Sequence, residues 1–174
     1  MIIKSALVGL AALGITACAT VDTAQYASEK PTLDFAQYFN GTVDGWGMFQ
    51  DRSGTVVKRF IVRIDCTWNG NEGTLDEHFA YTDGTTQSRV WKVVKDGDRY
   101  IGTAADVVGA ARGTASGNAL HWNYALALPV DGRTWNVDMD DWMFLIDDRT
   151  MLNRTTMSKF GIRVGEVTLS FRKR

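Results

Sequence analysis

Four charged residues fall where an alternating pattern otherwise calls for apolar side chains: Glu77, Arg89, Asp141 and Arg154. A carboxylate beside a guanidinium in an apolar setting has two uses. It can orient a ligand or move a proton within a pocket, or it can serve as a structural ion pair that sets strand register. Other chemistry has less support. The two histidines, His78 and His121, stand far apart, and no His-x-His pair, Cys-x-x-Cys pair or metal-spaced cluster occurs. There is no Gly-x-Ser-x-Gly elbow and no phosphate-binding glycine loop. No cofactor is expected, and the chain reads as non-enzymatic. The remaining enzymatic alternative is a lumenal acid or base, Asp141 or Glu77.

These residues lie on strands. Phe60, Val62, Ile64, Cys66 and Trp68 alternate with Arg59, Arg63 and Asp65, and Leu120, Trp122, Tyr124, Leu126 and Leu128 repeat the pattern. Period-two alternation of β-branched and aromatic residues marks half-buried strands. Turn signals separate them: Asp51-Arg52-Ser53-Gly54, Asn69-Gly70, Asp83-Gly84, Asp96-Gly97, Ser116-Gly117-Asn118 and Asp131-Gly132. About ten strands are predicted, near 42–50, 55–68, 73–82, 86–95, 98–105, 108–115, 118–128, 133–146, 150–157 and 164–173. This reads as an all-β, antiparallel up-and-down meander closed into a lipocalin-like barrel, because closure removes the sheet edges. A two-sheet sandwich is the alternative. A short helix is expected between Thr32 and Phe39, after Pro31.

Hairpin geometry then assigns faces. The Asp83-Gly84 turn puts Glu77 and Arg89 on one face as diagonal neighbours, with Leu75, Phe79, Tyr81, Gln87, Trp91 and Val93. The Asp131-Gly132 turn groups Trp122 and Tyr124 with Val137, Met139 and Asp141. The Asp147-Asp148 turn is read as adding Leu152, Arg154 and Thr156, making Asp141 and Arg154 a second pair. A slip of one residue in any turn reverses such an assignment. The stretch from Gly102 to Gly117 is rich in small residues, which suits either close approach by another group or a sharply coiled wall.

The N-terminus carries a different signal. Lys4 precedes an apolar run from Ser5 to Ala17, too short to span a bilayer, and then comes Ile15-Thr16-Ala17-Cys18. This resembles a bacterial lipoprotein signal peptide, in which the cysteine is lipidated and becomes the first mature residue. An ordinary signal cleaved elsewhere is the alternative. The expected organisation is a signal over 1–17, the lipidated Cys18 and a flexible tether over 18–30, and one barrel domain over 31–174. Removing 1–17 takes away Lys4. That leaves 18 Lys+Arg against 20 Asp+Glu, a net charge of −2, which argues against a nucleic-acid partner. Cys66 is then without an intramolecular disulfide partner. Ala19 after the cysteine resembles the signal for the outer membrane, so a periplasm-facing, lipid-anchored location is expected.

Several motifs span the chain: Asp140-Asp141-Trp142-Met143, Asn153-Arg154-Thr155-Thr156-Met157-Ser158-Lys159-Phe160-Gly161 and Val164-Gly165-Glu166-Val167-Thr168-Leu169. With Phe39-Asn40-Gly41, Gln50-Asp51-Arg52-Ser53-Gly54 and Leu75-Asp76-Glu77, they resemble the proteobacterial lipoprotein family called domain of unknown function 3833, over about residues 33–173. The resemblance implies no assigned activity, cofactor or catalytic residue; it does imply an envelope-lipid role. Gly45-Trp46 is faintly similar to the opening Gly-x-Trp of lipocalins, although here the two are adjacent.

The expected function is binding or carriage of a small apolar or amphipathic ligand, such as a lipid or fatty acid. Trp68, Trp91, Trp122 and Trp135 are expected to line the cavity with Tyr124, Glu77, Arg89, Asp141 and Arg154. The alternative is a structural or assembly lipoprotein with a filled core that acts through its surface. The sequence does not specify an oligomeric state.

Overall fold

The alternation read from the sequence becomes ten antiparallel strands. The computed structural model describes residues 21–130 and 132–174. The signal segment and Cys18 lie outside the described residues. Each strand pairs with its sequence neighbours: β1 (Gly41–Asp51), β2 (Val56–Asn69), β3 (Glu72–Tyr81), β4 (Thr86–Asp96), β5 (Arg99–Thr103), β6 (Val107–Ser116), β7 (Ala119–Val130), β8 (Arg133–Leu145), β9 (Thr150–Lys159) and β10 (Ile162–Lys173). β1 also pairs with β10, from Val43 opposite Lys173 to Asp51 opposite Gly165. That contact closes the barrel and rules out the sandwich. Among the described residues, every buried apolar side chain of the core comes from residues 33–171.

One end of the barrel has a floor. Asp34 caps the four-residue helix α1 (Phe35–Tyr38) by accepting from the Gln37 N–H at 3.2 Å. The helix carries Phe35 and Phe39 across the end of the lumen. Phe35 stacks on Trp122 with ring centroids 6.0 Å apart, and the Trp68 indole N–H donates to the Phe39 carbonyl at 2.7 Å. The Tyr38 hydroxyl donates to the Arg149 carbonyl at 2.9 Å and ties the helix to the β8–β9 connection.

The segment expected to be a free tether is docked over its described part. A 3-10 turn, Thr23–Tyr26, buries Thr23 and sets the Tyr26 ring edge-on to Phe144 at 5.2 Å. Its seat requires a glycine. A Cβ at Gly117 would lie 1.6 Å from the Tyr26 carbonyl oxygen, and Gly117 has φ +55°. Short polar side chains suggested flexibility here, but two aromatic contacts, with Trp142 and Phe144, and one backbone approach hold the turn.

The small residues between Gly102 and Gly117 make room for Trp122. A Cβ at Gly113 would sit 2.1 Å from a Trp122 ring carbon, and one at Gly102 would sit 2.6 Å away. Gly113→Val is therefore expected to lower stability by about 1–3 kcal/mol through overpacking. A urea midpoint that stays at the wild-type value would contradict this account of the small-residue wall.

Candidate functional site

Above the floor the strands enclose a cavity of about 400 Å³. Its lower wall is apolar, built from Phe35, Phe39, Leu75, Trp91, Trp122 and Phe171. Its mouth lies at the opposite end, among Lys58, Tyr81, Gln87 and Val130. A polar layer crosses the lumen between these two ends.

Arg89 is at the centre of that layer. Strand register puts it directly opposite Glu77, one step nearer than the expected diagonal. Arg89 Nη1 approaches Glu77 Oε2 at 3.4 Å, while Nη2 and Nε reach the Asp106 carboxylate at 2.7 and 3.0 Å. The Asp106 contact exists because β5 is short. β4 pairs with β5 only from Lys92 to Asp96, so the β5–β6 loop ends below the top of the wall and turns its carboxylate toward Arg89. Asp106 was not among the expected site residues. Its one sequence signal is isolation, as the only acidic residue between Arg99 and Val130. Burial works against the charge on Arg89, but its hydrogen bonds to Asp106 and the nearby Glu77 carboxylate raise its pKa and keep it protonated.

Asp141 faces the same layer, but its expected partner does not. In the β8–β9 register Asp141 lies opposite Thr155, and Arg154 lies opposite Trp142. Arg154 is therefore on the outer wall, its side chain 67% exposed and bonded to Glu166 at 2.7 Å. Leu152 and Thr156 share that outward parity, and Asn153, Thr155 and Met157 face inward. The cause is the connection. Ile146 N–H donates to the Thr150 carbonyl at 2.9 Å, and Asp147 accepts from the Arg149 and Thr150 N–H groups at 2.8 and 2.7 Å. This four-residue turn shifts the expected register by one. Asp141 instead accepts a hydrogen bond from the Asn153 amide.

Both inward carboxyl groups are held toward the neutral form. Burial pushes Glu77 up to about 7; Arg89 opposes the shift, and Asp106 and Asp141 add to it. Burial likewise pushes Asp141 up to about 6 against hydrogen bonds from Asn153 and Thr155. Tyr124, also in the layer, is raised by burial and by the Asp141 charge. The lumen thus holds two carboxyl groups, Glu77 and Asp141, beside one guanidinium that is also paired with Asp106.

The other expected residues separate. Trp91, Trp122 and Tyr124 line the cavity. Trp68 does not. It packs over Gly73 beside the floor helix, where a Cβ at position 73 would be 2.6 Å from its ring. Trp135 does not line the cavity either. It is 40% exposed at the mouth, with Lys159 Nζ 4.6 Å from its ring centroid. Both have inward parity, but they lie at the two ends of the barrel, beyond the enclosed space. Burial pushes the Cys66 thiol up to about 12, so it has little thiolate character. His78 and His121 are on the outer wall, next to Asp76 and Asp140. Among the described residues, no group of three or more His, Cys, Asp or Glu is placed to hold a metal ion.

A ten-stranded antiparallel meander closed around a lined lumen defines a lipocalin-like barrel. Two solved structures are similar in fold at about one-tenth sequence identity. The S-type phycobiliprotein lyase CPES of Guillardia theta is 9% identical with a TM-score of 0.58, over 80% of this chain and 91% of that one. A protein of unknown function from the DUF3598 family of Nostoc punctiforme is 10% identical with a TM-score of 0.59, over 84% of this chain. The match spans 51% of the Nostoc chain, about half its length. No curated protein is similar in sequence. The chain belongs to the family described as Protein of unknown function (DUF3833), whose model matches residues 12–173.

Proposed function

We propose that this protein is a non-enzymatic, lipid-anchored lipoprotein of the bacterial envelope that binds a small amphipathic molecule inside its barrel. One observation carries the reading: an enclosed, largely apolar cavity of about 400 Å³ crossed by a buried polar layer. That volume falls within the roughly 300–1,000 Å³ of small-molecule sites, which are mostly apolar with a few fixed polar groups. The anchor rests on Ile15-Thr16-Ala17-Cys18, and the outer-membrane address rests on Ala19 after the cysteine.

The polar layer narrows the ligand class. Arg89 is committed to Glu77 and Asp106, so it offers no free charge to a fatty-acid carboxylate. Such a head placed mid-lumen would meet Glu77 and Asp141. The favoured ligand enters tail first and keeps its head at the mouth near Lys58, or it carries a neutral head that donates hydrogen bonds to the layer. The same commitment of charges favours a carrier over a catalyst.

Titration of intrinsic tryptophan fluorescence with fatty alcohols and fatty acids of increasing length tests this, because Trp91 and Trp122 face the cavity. A saturable change that depends on chain length is expected. Met139→Trp combined with Met157→Trp narrows the lumen and should weaken binding by about tenfold or more. Absence of a saturable change across both series would refute ligand binding. The surface-acting alternative draws on Trp46, Ile61 and Leu152, which are about half exposed on the outer wall, but it also requires a filled core.

A further inference from the structure

The mouth of the barrel is apolar and cationic, while the chain enters at the opposite end. Phe160, at the tip of the β9–β10 hairpin, is 88% exposed and held at φ +52°. Ile162 follows it at 56% exposure, and Val56, Val57, Val130 and Trp135 continue the exposed apolar arc around the mouth. Long cations are interleaved with them. Lys159 Nζ sits 4.6 Å from the Trp135 ring centroid and 4.8 Å from that of Phe160. Arg163, Lys58, Arg52 and Arg133 lie on the same mouth strands and turns. Arg163 also pairs with Glu166, and Lys58 with Asp83. Among the described residues, Asp51 accepts from Ser53 and Thr55 within its own turn, and Asp131 falls between Val130 and Gly132 in the sequence of the β7–β8 turn.

We infer that the mouth docks on an anionic lipid bilayer. Aromatic and aliphatic side chains on several separate tips suit a plane better than they suit a groove in a partner. Cations among them reach anionic headgroups while their stems stay with the apolar residues. The apolar surface also runs without a break from the rim into the lumen, because Val130 is exposed and lines the cavity as well. This docking needs no ligand. A route for ligand between bilayer and lumen rests on the binding function proposed above.

The geometry also sets orientation. The 3-10 turn Thr23–Tyr26 and helix α1 sit at the floor end, roughly 25–30 Å of tilted strand away from the mouth. Residues 18–20 reach at most about 10 Å. With the lipid on Cys18 that the proposed function assigns, the anchoring bilayer lies at the floor end, and the mouth then docks on an opposing membrane.

The test uses residues 21–174, which carry all ten strands and every core residue among the described residues and lack the N-terminal segment. Cosedimentation is compared between vesicles of phosphatidylcholine alone and vesicles with phosphatidylglycerol added. The expected result is binding to the anionic vesicles that falls with salt. Phe160→Ser with Ile162→Ser should weaken it by about tenfold or more, while Trp46→Ser with Ile61→Ser on the side wall should leave it unchanged. No preference for anionic vesicles, unchanged binding in the tip pair, or equal loss in the side-wall pair would overturn the inference. Fluorescence titration of the same chain without vesicles reports lumenal binding separately. Loss there, with vesicle binding intact, counts against the carrier function alone.

Discussion

Arg89→Met is expected to destabilise the barrel by about 3–5 kcal/mol near pH 7, the cost of removing one partner from a buried ion pair. The Arg89 side chain is 14% exposed and Glu77 13%, so solvent screens them little. Without the guanidinium, the part-buried Asp106 and the buried Glu77 lose their shared counter-charge. Glu77 can take up a proton, because burial already pushes it up to about 7. The loss should therefore shrink by pH 5. Adding Glu77→Gln and Asp106→Asn to Arg89→Met should restore most of the stability, since neutral groups tolerate burial far better. Urea denaturation of the single and triple variants at pH 5 and 7.5 measures this. A single-variant loss below about 1 kcal/mol would place the cluster in contact with bulk water.

Stability should also fall as pH rises from about 5 to 8, which is unusual for a protein with many exposed carboxylates. Glu77 and Asp141 have folded pKa values of about 7 and about 6, above their ordinary values of 4.5 and 3.8. Folding favours their protonated forms. Their contribution is complete below the ordinary values and is lost as pH climbs through about 6 and then about 7. Each pKa unit corresponds to about 1.4 kcal/mol, so each group accounts for on the order of 3 kcal/mol. Asp34, Asp44 and Asp65 work in the opposite direction. Burial raises Asp34, but its hydrogen bonds to Lys95 and Gln37 outweigh this. Hydrogen bonds from Arg174 lower Asp44, and those from Thr42 and Arg63 lower Asp65. These three lose their contribution as pH drops through their depressed values. The optimum should thus lie near pH 5. Asp141→Asn should flatten the alkaline limb and leave the protein more stable than wild type at pH 7.5. A flat profile from pH 5 to 8 in the wild type would mean that the polar layer is hydrated.

The strand pattern was legible because one face of every strand meets a packed or enclosed interior and the other meets water. That contrast stamps period two on the sequence, and the turns carry Gly and Asp for local backbone reasons. Glu77 and Arg89 could be placed on one face across the Asp83-Gly84 turn, because the Thr82–Thr85 connection preserves the expected parity. Asp141 and Arg154 could not, because the Ile146–Arg149 connection takes its register from hydrogen bonds to Asp147. One residue of slip exchanged Arg154 for Thr155. Asp106 stayed hidden because its contact depends on where a short strand ends, which no periodicity records. Trp68 and Trp135 had the correct parity and the wrong height, since alternation reports which face a residue is on and not how far along the barrel it sits.

The sequence by itself determined the all-β class, the ten strands and their order, and most of the inward set, because these follow from burial patterning and local turn chemistry. The register in which β1 meets β10, the floor made by Phe35 and Phe39, the Arg89–Asp106 contact and the cavity above Trp122 were decided only by tertiary structure. Each joins residues distant in sequence, or depends on the space left after side chains pack. A cavity is such a remainder, and one-dimensional patterning leaves no mark of it.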